Sequence, residues 1–158
     1  MSTDLPAYVL DSSPLAVFTR LQRVGLHLEA LQGEAMAEIG LSFADYTILA
    51  TLHREPAPHR LSVSRLAELV LRPMGSITQA VDRVEDAGLV RRVLDPDDRR
   101  RVLIELTAGG LDLATRGDAA YRVVRERVLH AVPADERDAV DRAVSALLEA
   151  LEQNRSPG

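Results

Sequence analysis

Cysteine is absent from the 158-residue chain, which excludes disulfides, thiolate metal sites and thiol-based redox sensing within it. Lysine is absent as well, so all 19 basic side chains are arginines. A preference that reaches every position fits a GC-rich coding bias better than any single site, although arginine does suit bidentate phosphate contacts. No apolar run reaches the length of a membrane span. The opening MSTDLPAYVLDSSP has no basic stretch followed by an apolar core. No secretory signal is therefore expected, and the cytoplasm is the expected location.

What is present fits a soluble globular protein, with 46% hydrophobic and 27% charged residues. The length fits one domain over residues 1–158, with helical extensions. The formal net charge of −5 argues against a general nucleic-acid coat. Its distribution says more than its total. Residues 1–59 hold three arginines against seven acids, and residues 102–158 hold seven against ten. Residues 60–101 hold nine against seven and form the net-basic part, flanked by acidic ends.

The apolar spacing predicts helices first. Ser13-Pro14 reads as a cap with proline in the first turn. Leu15, Phe18, Leu21, Val24, Leu28 and Leu31 follow at helical period, to about Glu38, with Gly40 as the stop. Ser42 caps a second helix whose inner face carries Tyr46, Leu49 and Leu52, ending near Arg54. Residues 55–60 read as a loop. Ser62 caps a third helix with Val63, Leu66, Ala67 and Val70 inside. Pro73 opens a fourth, with Met74, Ile77, Val81 and Val84 as its buried stripe and Gly88 as its stop. Two short helices about four residues apart make a helix-turn-helix candidate.

A strand-like run from Leu89 to Leu94 comes next, then the turn Asp95-Pro96-Asp97-Asp98, then Val102, Leu103, Ile104 and Leu106 as a return strand. Thr107 caps the following helix. Two strands around a charged turn, directly after a helix-turn-helix, make a β-hairpin wing. The remainder is helical, from Leu111 to Val128 and again from Pro133, with Val140, Val144, Leu147, Leu148 and Leu151 on one face. The tail EQNRSPG is expected to fray. The expected class is mainly α with a small β-hairpin wing. Its DNA-binding lobe is a winged helix-turn-helix over 42–106, with dimerisation helices over 14–39 and 108–152. The apolar stripes of those end helices exceed what so small a lobe can cover, and a second copy of the chain is the simple cover.

In a helix-turn-helix the second helix enters the major groove. Its outward face here offers Gly75, Ser76, Thr78, Gln79, Asp82 and Arg83. Gly75 permits close approach, Ser76 and Thr78 can donate to phosphate or bases, Gln79 can pair with adenine, and Arg83 suits phosphate. Arg99 and Arg100 at the wing tip suit a minor groove. Asp98 can accept a hydrogen bond from Arg100 and fix its orientation.

GSITQAVDRVEDAGLVRR followed by DPDDRRRVLIELT resembles the core of the MarR (multiple antibiotic resistance regulator) family. The shared pattern is Glu85, Gly88-Leu89-Val90, then Asp98-Arg99-Arg100 before Leu106-Thr107. LSFADYTILATL and RLSVSRLAELV resemble the two preceding segments, and the resemblance runs from about residue 15 to 150. It implies a homodimer that binds a near-palindromic operator in double-stranded DNA, usually as a repressor. It also implies release by a small, often phenolic or aromatic, effector bound between the dimer helices and the DNA-binding lobe. Arg100 is then the minor-groove wing residue and Asp98 its partner. His27, Tyr46 and His53 lie on the two helices that would border the effector pocket. PAPHRLSVSRLAELV is similar to the urate-responsive branch of the family. That branch carries an Arg where Ala80 aligns and a Trp in an N-terminal helix. This chain has neither, which counts against urate. The lack of cysteine removes the peroxide-sensing branch.

Other chemistry finds little support in the residues. His27, His53, His59 and His130 form no pair at metal-ligand spacing. There is no nucleophile motif, phosphate loop or acid–base pair, so no enzyme, catalytic residue, metal or cofactor is expected. The rival to a DNA binder is a winged-helix dimer that binds protein.

Overall fold

The computed structural model describes Ser13 and residues 16–154. Pro14, Leu15 and the end of the tail from Arg155 lie outside the described residues. In chain order the elements are α1 (Ala16–Ala37), α2 (Phe43–Arg54), β1 (Arg60–Ser62), α3 (Val63–Val70) and α4 (Met74–Asp86). They continue with β2 (Val90–Leu94), β3 (Val102–Leu106), α5 (Ala108–His130) and α6 (Arg137–Gln153).

Local chemistry explains most of the boundaries. After α1 the chain turns through Gly40 at φ +76°, and the Leu41 amide returns to the Met36 carbonyl at 3.1 Å. Ser42 caps α2: its Oγ accepts from the Asp45 amide at 3.1 Å and its hydroxyl donates to Asp45 Oδ2 at 2.6 Å. Ser62 caps α3 in the same way, accepting from the Arg65 amide at 3.2 Å. α4 ends at Gly88, φ +72°, with the Leu89 amide bonded back to Val84 O at 2.8 Å.

The strands form one antiparallel sheet in the order β1-β3-β2. The expected loop holds over residues 55–59, but its last residue, Arg60, begins the short strand β1. Three residues are too few to show a period, and they become a strand by pairing with β3, Arg60 opposite Glu105 and Ser62 opposite Leu103. On the inner face of the sheet, Val90, Ile104 and Leu106 join Ile48, Leu49 and Leu52 of α2, Leu66 of α3, and Ile77, Val81 and Val84 of α4. On the other face Glu105 stands opposite both Arg60 and Arg91. Its carboxylate takes Arg91 Nε at 3.0 Å and Nη2 at 2.5 Å, with Arg60 Nη1 at 3.9 Å. An acid buried in a sheet is thus matched by an arginine on each side.

The chain divides into two compact units, residues 1–121 and 122–158. The first holds α1–α4, the sheet and the first part of α5; its core centres on α2. The second holds the end of α5 and α6. Helix α6 buries none of its residues, and Val140, Val144, Leu148 and Leu151 are exposed along it. No described helix is long and apolar enough to cross a membrane.

Candidate nucleic-acid interface

Helix α4 follows α3 through the short turn Leu71-Arg72-Pro73 and lies against α2, α3 and β2. Its buried face is Ile77, Ala80, Val81 and Val84. Met74, expected in that stripe, is instead 48% exposed, and Ala80 at 2% joins the stripe. Periodicity gives the face of a helix but not where the core beneath it stops. The first turn of α4 projects past that edge.

The outward residues divide into three strips. Gly75, Ser76 and Gln79 are exposed. Thr78 is half-buried, and its hydroxyl donates to the Met74 carbonyl at 3.0 Å, so in this rotamer its proton is not offered outward. On the α2 side Arg83, expected to be free for phosphate, places Nε and Nη2 at 3.0 and 2.7 Å from Asp45 Oδ1. On the wing side the arrangement is reversed. Arg92 of β2 reaches Asp82 Oδ1 at 2.5 Å and pairs with Glu85, whose Oε1 also accepts the Arg92 amide at 3.1 Å. The spacing that puts Asp82 and Glu85 on one helical face is visible in sequence. Their arginine partner is not, because it depends on where β2 runs.

The wing turn is held by its own acids. Asp95 Oδ1 accepts the Asp97 amide at 3.0 Å, and Asp95 and Arg101 pair through main chain, with Asp95 N to Arg101 O at 3.0 Å. Asp98 accepts from Arg100 at 3.0 Å, through the main-chain amide rather than the guanidinium. The Arg101 amide returns to Asp98 O at 2.8 Å, and Arg101 Nη1 lies 3.9 Å from Asp95 Oδ2. Arg99 and Arg100 are exposed, and among the described residues no carboxylate pairs with either. The turn therefore presents two uncommitted guanidinium groups on a backbone fixed by aspartates.

The model of the MarR family matches residues 39–101, which contain α2, α3, α4, β2 and the wing turn. The chain belongs to the MarR family. It is similar to the HTH-type transcriptional regulator PecS of Dickeya dadantii, 36% identical over 107 residues, covering 68% of this chain and 64% of PecS. The chain thus spans just under two thirds of PecS. It is similar to the HTH-type transcriptional repressor Rv2887 of Mycobacterium tuberculosis, 28% identical over 137 residues, 87% of this chain and 95% of that protein. In fold it is similar to a mutant MarR from E. coli complexed with operator DNA, with TM-score 0.73 and 20% identity, covering 84% of this chain and 93% of that one.

The residues assigned to a MarR-type effector pocket do not line the cavity of about 470 Å³ beside α2. Tyr46 is buried and its hydroxyl donates to Asp118 Oδ1 at 2.5 Å; His53 Nδ1 lies 3.0 Å from Asp118 Oδ2. The ring of His53 lies 5.8 Å from that of His59, and Tyr121 stands edge-on to Tyr46 at 6.5 Å and accepts from Gln32. His27 is exposed on α1. Tyr46, His53, Asp118, Tyr121 and Gln32 tie α2 to α5 and α1. The cavity opens on a different face of α2, walled by Phe43, Ala44 and Thr47. It is completed by Glu29, Val70, Arg72, Ser76, Ile77 and Ala80. The sequence showed which residues share a face of α2, but not which face meets the cavity.

Proposed function

We propose that the chain is a DNA-binding transcriptional regulator, acting as a repressor on a near-palindromic operator as a homodimer. The observation that carries this reading is the joint presentation of two elements on one core. The outer strip of α4 offers Gly75, Ser76 and Gln79, and the wing offers the exposed Arg99 and Arg100. α4 is suited to a major groove and the wing to the adjoining minor groove, where negative potential favours arginine. A dimer would set two such lobes about 34 Å apart, one duplex turn. A regulator of this kind works where the chromosome is, which gives the cytoplasm as its location.

A second copy is the occupant that fits the exposed apolar residues of α6, and those of α1 (Phe18, Val24, Leu26) and the end of α5 (Val123, Leu129). The cavity beside α4 fits a small effector. Its walls are mostly apolar, with the Thr47 and Ser76 hydroxyls, the Glu29 carboxylate and the Arg72 guanidinium as polar groups, chemistry that suits a small aromatic compound whose acid group displaces Glu29 from Arg72. Ser76, Ile77 and Ala80 belong to α4, so a ligand there would touch the recognition helix itself. Ala80 stands on the cavity wall where the urate-responsive branch carries its arginine. Arg72 is then the cation among the lining residues, and it faces Glu29 at 3.5 Å.

The test is a duplex selected from a random library by the wild-type chain, followed by Arg100→Ala. The expected loss is about 1–3 kcal/mol in affinity, with the salt slope lower by about one. Unchanged affinity would remove the wing from the site. Binding that ignored salt altogether would favour the protein-interaction reading.

A further inference from the structure

Arg83 and Asp45 are 38 residues apart in sequence, and both nitrogens of one guanidinium edge rest on one carboxylate oxygen. The carboxylate is itself fixed. Its second oxygen receives the Ser42 hydroxyl at 2.6 Å, and its backbone lies in the capped first turn of α2. The Asp45 side chain is 14% exposed, whereas that of Arg83 is 52% exposed. A solvent-exposed arginine ordinarily spreads over many rotamers, and ordering it on binding costs free energy. Here one edge is tied to a rigid acid before any ligand arrives. The edge formed by Nη1 and the second Nη2 hydrogen has no partner among the described residues, on a side chain that is half exposed. Two parallel N–H groups at a fixed angle fit a pair of acceptors, such as guanine O6 and N7 or two phosphate oxygens.

We propose that Asp45 is a positioning residue for operator recognition: it holds Arg83 by one edge so that the other is presented to a paired acceptor on the DNA. The proposal rests on the operator-binding reading above. It runs against simple electrostatics. Asp45 is a negative charge near a surface that meets a polyanion, so removing it should strengthen binding if charge alone mattered.

The experiment compares wild type, Asp45→Asn, Arg83→Ala and the double variant on two duplexes, one selected from a random library by the wild type and one scrambled. Asp45→Asn is expected to weaken the selected duplex about tenfold, the scale of one mispresented bidentate contact. Binding to the scrambled duplex stays level or rises. The double variant should match Arg83→Ala, because Asp45 acts only through Arg83. Ser42→Ala, which removes the hydroxyl that steadies the carboxylate but leaves the ion pair, should lower the ratio between duplexes in the same direction and by less than Asp45→Asn does. Asp45→Asn tightening both duplexes alike would overturn the proposal. So would losses that multiply in the double variant. A wild type that enriches no sequence would remove the operator reading and this proposal with it. Enrichment together with an unaffected Asp45→Asn would remove this proposal alone.

Discussion

Gly117 shows how closely α5 approaches α2. A Cβ added there would lie 2.5 Å from Tyr46 Cε2 and 2.6 Å from Cδ2. The Tyr46 ring would have to leave its place, and with it the hydrogen bond to Asp118. Gly117→Ala should therefore lower unfolding stability by about 2 kcal/mol, measured by urea denaturation. An unchanged midpoint would mean that α2 and α5 do not pack this way. Gly110 is tighter still, since a Cβ there would collide with the Leu89 main-chain carbonyl. At the wing the expectation is reversed. Among the described residues Arg99 and Arg100 pair with no acid, so Arg100→Ala should leave stability unchanged while weakening DNA binding. Of these residues the wing arginines could be read from sequence, because a turn rich in Asp and Arg reports its own exposure. Gly117 could not, because its constraint comes from a ring 71 positions away in the chain.

Helix α4 is acidic for a helix proposed to enter DNA: Asp82, Glu85 and Asp86 outnumber Arg83. Arg92 answers this from β2 by pairing with both Asp82 and Glu85. Exposed ion pairs contribute little to folding, so Arg92→Ala should cost less than about 1 kcal/mol of stability. It should nonetheless weaken operator binding, because two unscreened carboxylates would then approach phosphates. Adding Asp82→Asn should recover part of that loss in an anisotropy titration. No recovery would mean that Arg92 meets DNA directly. Helices α1–α4 and the two long strands were legible because Ser42, Ser62, Gly40 and Gly88 sit at their ends with the backbone and hydrogen bonds those residue types favour, whereas α6 begins at Arg137 and not at the expected Pro133. β1 was not, being short and defined only by its partner. The ion pairs flanking α4 were not, since helical period groups residues on a face without saying what the face meets.

At the scale of the whole molecule, charge and apolar surface are separated along the chain. The net-basic middle holds α3, α4 and most of the wing, while acids outnumber arginines toward both ends. Such a division concentrates attraction at the proposed DNA surface and limits non-specific binding elsewhere. The end helices were legible as amphipathic, and their exposed rows are the reason for proposing a dimer. Val144→Asp with Leu148→Asp on α6 should convert a dimer to a monomer in sedimentation. Operator affinity should fall roughly a hundredfold as the half-sites uncouple. A double variant that still sediments as a dimer would place the interface elsewhere.

The most direct measurement is a fluorescence-anisotropy titration of the wild-type chain on the duplex upstream of its own gene, at two salt concentrations, with scrambled competitor. A sequence-specific regulator should bind tightly, lose affinity steeply as salt rises, and keep its target in the presence of competitor. Equal binding to target and scrambled DNA would contradict the operator reading of α4 and the wing.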